Sequence, residues 1–456
     1  MTTIDRSRLT DLMQRERERF AQTHPRSGEL SEQAGRSLLY GVPMNWMTRW
    51  PGAFPVWVAQ GRGARFTDVD GIEYVDLCLG DTGAMAGHAP KIAVDAIAEQ
   101  AAHGLTFMLP TEDALWVGEE MQRRFGLDLW QFCLTATDAN RFVLRLARDA
   151  TGRSKVVVHD HNYHGTVDET FATLEDGHVV ASSGNVGPPV DPALTTRVVQ
   201  FNDLAGLEEA LADGEVACCL FEPALTNIGI VLPDEAYHRG VRELCTKYGT
   251  LLVIDETHTI CAGPGGCTRR YELQPDLLTI GKTLGAGVPS AAYGMTQQVA
   301  DRVVAGTNWH ETDVGGVGGT LAGNALSFAA MRATLGEILT DEAFVRMEDL
   351  AVRFTDGVEG VIAAHELPWH IVRLGCRAEY LFRPNPARDG VEAAAGQDEE
   401  LDAFIHLFLL NRGILLTPFH NMALMSPATT TEDVDRHTEV FAEAVDELVG
   451  AQPVVL

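Results

Sequence analysis

Two short stretches of the chain end apolar runs on residues that can do chemistry. "LLVIDETHTI", Leu251 to Ile260, closes its run with Asp255 and Glu256, and "DLLTIGKTLGAG", Asp276 to Gly287, delivers Lys282 between Gly281 and Thr283. Both runs are short and nearly unbroken, as in strands covered on both faces. In an open α/β sheet, ligands sit at the carboxyl ends of parallel strands. Both side chains would then project from one edge, giving a carboxylate for a ligand cation and an amine for nucleophilic or base chemistry. Each also has an ordinary alternative, Asp255 as a helix cap and Lys282 as a solvated loop residue, and short motifs often match by chance.

Three further stretches add to the pair. "CLTATDANRFVLRLARDATGR" holds a strand-like start, a Thr-Ala-Thr-Asp turn and an amphipathic helix from Ala139. Small residues at such a turn leave backbone N–H groups free for a phosphate, although Thr and Asp also serve as plain N-caps. "HDHNYHG" sets Tyr163 and His164 just after the strand "KVVVHD", where an aromatic ring can stack on a planar ligand. "GGVGGTLAGN" carries Thr320 ahead of another helix. Phosphate donors, a stacking aromatic, an acid and an amine together suit pyridoxal 5'-phosphate. That cofactor needs a lysine for its Schiff base and an anion for its pyridinium nitrogen.

The elements that must position these residues follow from the hydrophobic pattern. Helices are expected at 90–104, 112–126, 139–151, 203–213, 234–249 and 323–339, and strands at 155–159, 196–201, 216–221, 251–255, 276–280 and 291–295. This alternation predicts a mostly parallel sheet flanked by helices. Residues 4–22 read as an amphipathic helix, and "ARFTDVDGIEYVDL" as a hairpin turning at Asp70-Gly71. Beyond 341 the pattern becomes a long helix, a strand near 371–382, a polar insertion at 384–399 expected to be mobile, a helix, a short strand at 413–416 and a last helix at 431–449. The expected domains are therefore an N-terminal segment at 1–75, a large α/β domain at 76–340 and a small α+β domain at 341–456.

Composition narrows the class. Of 456 residues, 45% are hydrophobic and 22% charged, the mix of a globular chain with a sizeable core. With 64 acidic against 35 basic residues the formal charge is -29, which repels phosphate backbones and argues against nucleic acid as a partner. The eight cysteines form no C-x-x-C pair and read as reduced structural thiols, so no metal site is expected. The N-terminal residues have no apolar core of a signal peptide, and no stretch approaches the ~20 apolar residues of a membrane span. These features predict a cytoplasmic protein that does not engage a membrane.

The order and context of the motifs resemble class III aminotransferases, a fold-type I pyridoxal phosphate family, over about residues 35–450. The strongest stretch runs from "FEPALTNIGIVLP" through "LLVIDETHTICAGPGGCTRRYELQPDLLTIGKTLGAGVPSAAYG". The nearest branch holds glutamate-1-semialdehyde aminomutases and β-amino-acid aminotransferases. The resemblance implies that Lys282 carries the cofactor and that Asp255 pairs with its ring nitrogen. It implies further that Ala136 and Thr137 hold the phosphate, that Tyr163 stacks on the ring, and that Glu222 lies near cofactor and substrate. Thr320 would reach the phosphate of a neighbouring subunit, which implies a homodimer with shared active sites. Two departures stand out. The phosphate turn reads Thr135-Ala136-Thr137 where Ser-Gly-Thr is usual, and Thr257 replaces an aliphatic residue under the ring. Its methyl can pack there and its hydroxyl can bond the ring oxygen.

The expected activity is amino transfer from an amine or amino acid to a keto acid or aldehyde. The alternative is an isomerase, an aminomutase or a racemase, using the same lysine and aspartate. A non-catalytic relative is the third class, disfavoured by the intact pair. The resemblance sets Trp46 where β-amino-acid enzymes carry an arginine for a substrate carboxylate. This implies a bulky apolar substituent on the substrate, with Arg49 as the nearby cation.

Overall fold

The computed structural model describes residues 3–306, 315–418 and 420–450. The chain forms two compact units, one of residues 91–342 with 387–394 and the other of 1–90, 343–386 and 395–456.

The first unit is built on a seven-stranded sheet. In spatial order its strands are Leu129–Cys133, Ala291–Met295, Leu277–Ile280, Leu251–Asp255, Val216–Phe221, Lys155–His159 and Thr196–Val199. Only Ala291–Met295 runs against its neighbours, pairing antiparallel with the strands on both sides. All six others therefore point the same way, and their carboxyl ends share one edge. Most side chains of the central strands are buried on both faces, which explains the unbroken apolar runs. Helices at Lys91–His103, Glu112–Phe125, Ala136–Thr151, Leu204–Leu211, Tyr237–Tyr248, Gln297–Gly306 and Ala325–Ala333 cover the sheet or extend the unit.

Ala136–Thr151 shows how sequence sets such a helix. Thr135 caps it, its hydroxyl accepting from the N–H of Asp138 at 3.1 Å, an interaction worth about 1 kcal/mol. Ala139, Phe142, Val143, Leu146 and Ala147 recur at helical spacing and are buried in the core. Gly152 ends the helix at φ 68°, where a side chain would be strained.

The second unit carries a four-stranded sheet, ordered Val58–Arg62, Arg65–Asp68, Glu73–Asp76 and Ile414–Leu415, and a three-stranded one, His370–Leu374, Arg377–Leu381 and Met422–Leu424. Its helices include Arg6–Thr23, Asp341–Ala364, Glu399–Leu410 and Thr431–Val449. The expected single strand near 371–382 is instead a hairpin, because Gly375 turns the chain at φ 58°. The polar insertion is also more ordered than its composition suggests. Gly390–Ala394 is helical, Ala387 and Ala393 enter the core of the first unit, and Arg388 bonds Asp234 at 2.9 Å. No described helix is long and apolar enough to cross a membrane.

Candidate active site

Five of the parallel strand ends and the loops beyond them carry the site. Asp255 is the last residue of its strand and is 3% exposed. Its Oδ2 accepts from His164 Nδ1 at 2.8 Å and from Asn140 Nδ2 at 2.8 Å, and its Oδ1 accepts from the N–H of Thr257 at 3.0 Å. Burial pushes this carboxyl upward, but the His164 bond and charge, aided by Thr257 and Asn140, hold it down at about 2. The group is an anion at any physiological pH.

Asn140 is itself fixed. It donates to the His164 carbonyl at 3.0 Å, and its Oδ1 accepts from Thr279 on the adjoining strand at 2.7 Å. One helix side chain thus ties together the Tyr163–His164 loop and two neighbouring strands.

Lys282 leaves the Leu277–Ile280 strand, which pairs in parallel with that of Asp255. Its backbone sits at φ 58°, in the left-handed region that non-glycine residues rarely adopt. Such strain concentrates at functional positions. Its Nζ lies 2.7 Å from Nε2 of His258.

The turn at Thr135-Ala136-Thr137 has the shape of a cradle. Ala136 and Thr137 open their helix and present N–H groups that the helix itself cannot bond, at its positive end. The Thr137 hydroxyl accepts from the N–H of Thr166 at 3.1 Å. Neighbouring glycines leave the space open. A Cβ on Gly165 would stand 2.3 Å from Thr137 Oγ1, and one on Gly281 3.0 Å from the Ala136 nitrogen.

The buried polar atoms at this edge with no hydrogen-bond partner within the described residues include Thr257 Oγ1, Thr283 Oγ1 and His164 Nε2. Buried polar groups are ordinarily bonded. Orphaned hydroxyls beside an anion, an amine and a free helix start fit a polar, phosphate-bearing ring compound.

The remaining expected residues are placed as follows. Glu222 follows the Val216–Phe221 strand and accepts from Thr226 and from Asn227 Nδ2, the latter at 3.2 Å. Tyr163 is 43% exposed, with its ring edge-to-face to Phe171. Thr320 is exposed, beside the turn that precedes the Ala325–Ala333 helix. Trp46 lies in the second unit on the turn Asn45–Thr48, 45% exposed, and Arg49 ends that turn. Glu256, adjacent to Asp255, turns away from these groups. It accepts from Thr259, from the N–H of Cys267 and from Thr268, and fixes the following loop.

His258, Asn140 and Thr283 escape sequence reasoning. A polar Asn140 on the apolar face of an amphipathic helix, and a histidine three residues past the strand-end acid, were the available signals.

Residues 46–445 match the model of the class III aminotransferases. The chain is 30% identical to a glutamate-1-semialdehyde 2,1-aminomutase of Anaeromyxobacter sp. over 86% of its own length and 92% of the relative's. Its fold superposes on a crystal structure of a glutamate-1-semialdehyde-aminomutase from Pseudomonas aeruginosa PAO1 with a TM-score of 0.96 and 49% identity, covering 98% of this chain and 99% of that one. A lysine-to-alanine variant of that protein was crystallised in complex with PMP. An omega-transaminase from Sphaerobacter thermophilus matches at TM-score 0.84 and 27% identity, over 92% of this chain and 97% of that one. With a family match spanning most of its length, this chain belongs to the class III aminotransferases, fold-type I enzymes whose cofactor is pyridoxal phosphate.

Proposed function

We propose that this protein is an isomerase of the aminomutase type, moving nitrogen between adjacent carbons of one amino aldehyde. Glutamate-1-semialdehyde or a close analogue is its substrate. The observation that carries this reading is 49% identity over nearly the whole chain to a protein of that name. When bound, the cofactor supplies a ring that accepts electrons from the substrate carbon bearing the nitrogen.

The residues divide the remaining work. Lys282 offers Nζ as the covalent anchor and, once free, moves a proton to and from the reacting carbon. Asp255, fixed by His164 and Asn140, holds a negative charge for a protonated ring nitrogen. Ala136 and Thr137 bind the phosphate, Thr257 offers its orphaned hydroxyl to the ring, and Tyr163 packs on the ring face. Glu222 borders the substrate. Thr320, being exposed, completes the phosphate site of a second copy in a homodimer.

A second reading, transfer between an amino donor and a separate keto acceptor, is supported by the likeness to the Sphaerobacter transaminase. In that reading Trp46 selects a bulky apolar substituent and Arg49 meets any carboxylate.

Two measurements test both. Borohydride reduction of the loaded enzyme with peptide mapping should label Lys282, and a label elsewhere sinks the assignment. Glutamate-1-semialdehyde given alone should then convert to the isomer with nitrogen on C1. Conversion that begins only after a keto acid is added would replace the isomerase with the transaminase.

A further inference from the structure

His258 stands three residues beyond Asp255, just before the turn Thr259–Ala262, and is 4% exposed. A buried imidazole is costly to leave unbonded, and this one places Nε2 2.7 Å from Lys282 Nζ. Two protonated nitrogens would repel at that distance. The geometry therefore requires one to donate and the other to offer a lone pair. Three ionisable neighbours at this edge have other partners among the described residues. Asp255 and His164 bond each other, and Glu222 accepts from Thr226 and Asn227.

We propose that His258 is the proton acceptor and donor for Lys282, so that the anchoring amine is activated by an imidazole rather than by solvent. The inference rests on the reading of Lys282 as the cofactor-bearing lysine. The step balances without any oxidant. The Lys282 ammonium passes one proton to His258 Nε2, leaving a lone pair on Nζ. That lone pair forms a bond to the cofactor's aldehyde carbon. As the C=N bond forms, the carbonyl oxygen takes the second Nζ proton and the proton held by His258 and departs as water, leaving the third proton on the nitrogen. The left-handed backbone at Lys282 serves the same end, because it fixes the root of the side chain so that Nζ meets the imidazole.

The test measures how fast Lys282 becomes linked, not turnover. Full-length apoprotein is mixed with pyridoxal phosphate and quenched with borohydride at intervals, and the label on Lys282 is quantified by peptide mass across pH. His258→Gln keeps a hydrogen-bond acceptor for Nζ but cannot take a proton. His258→Ala removes both functions, and circular dichroism confirms the fold of each variant. Near neutral pH, His258→Gln should link about 10²-fold more slowly than wild type. That deficit should narrow at strongly alkaline pH, where hydroxide can take the proton in place of the imidazole. Unchanged rates in both variants would overturn the proposal. An equal deficit at every pH would reduce His258 to positioning and also overturn it. Absence of label on wild-type Lys282 would instead remove the reading beneath it, and this inference with it.

Discussion

Two buried carboxylates, one in each unit, behave in opposite ways. Asp255 accepts three hydrogen bonds from His164, Asn140 and Thr257 and is held down at about 2. Glu379, 1% exposed on the Arg377–Leu381 strand, has no hydrogen bond to either oxygen among the described residues. Arg377 Nη2 stays 3.9 Å away and His420 Nδ1 3.4 Å. Burial therefore wins, against the attraction of Arg377, and pushes Glu379 up to about 8. Nearby Asp402 rises to about 7, again by burial, which outweighs its bond from Asn421. The difference teaches that depth does not decide the charge of a buried acid. The charge of the donor matters as well as its presence: the His164 bond and charge hold Asp255 down, whereas adjacent Glu256, bonded to the hydroxyls and N–H groups of Thr259, Cys267 and Thr268, is still pushed up by burial.

The most forceful way to break the contrast is Asp255→Asn. Oδ2 now accepts two bonds and Oδ1 one, so an amide placed there must turn its NH₂ toward at least one donor. Leaving that donor unpaired costs about 1–3 kcal/mol. The lost charge should lower turnover by roughly 10²–10³-fold, by analogy with other preorganised electrostatic groups. Steady-state rates and cofactor absorbance measured together are the check. A variant that keeps its rate but loses cofactor would deny Asp255 its electronic role.

Stability against pH sharpens the comparison with a smaller effect. Folded Glu379 keeps its proton up to about 8, whereas the unfolded chain releases it near 4.5, so its burial increasingly opposes folding as pH rises between these values. Relative to Glu379→Gln, wild type should lose up to about 1.4 kcal/mol per pH unit across that window. Asp255 has the opposite sign. Its contribution is complete above the ordinary value of 3.8 and disappears as pH falls toward 2. Urea unfolding at several pH values distinguishes the limbs, and a Glu379→Gln profile parallel to wild type would show that Glu379 is ionised.

The site was legible in the sequence only where chemistry interrupts a local pattern. Asp255 and Lys282 end apolar runs, so their places at neighbouring strand ends follow from reading each run alone. The core strands were legible for the same reason, with parallel Val216–Phe221 and Leu251–Asp255 and antiparallel Ala291–Met295 found at their full extents. Asn140 and His258 could not be placed in this way, because their partners lie 115 and 24 residues away in sequence. Glu379 was hidden by a misleading local signal. Arg377 and Glu379 alternate with Ala378 and Tyr380, the usual mark of a strand with one wet face, yet the whole strand is buried. The hairpin at Gly375 and the helix Gly390–Ala394 were missed because one glycine and a few alanines outweigh the polar residues around them.

The left-handed backbone of Lys282 bears on how this enzyme can evolve. A lysine in that conformation stores about 1–3 kcal/mol of strain that glycine would largely relieve. Lys282→Gly should therefore be inactive and yet melt at or above the wild-type temperature in the cofactor-free state, measurable by calorimetry. If it melts lower, the lysine side chain contributes more to folding than its backbone takes away. If instead it melts higher, selection for heat resistance alone would drift toward losing the lysine, and only selection for chemistry keeps it in place.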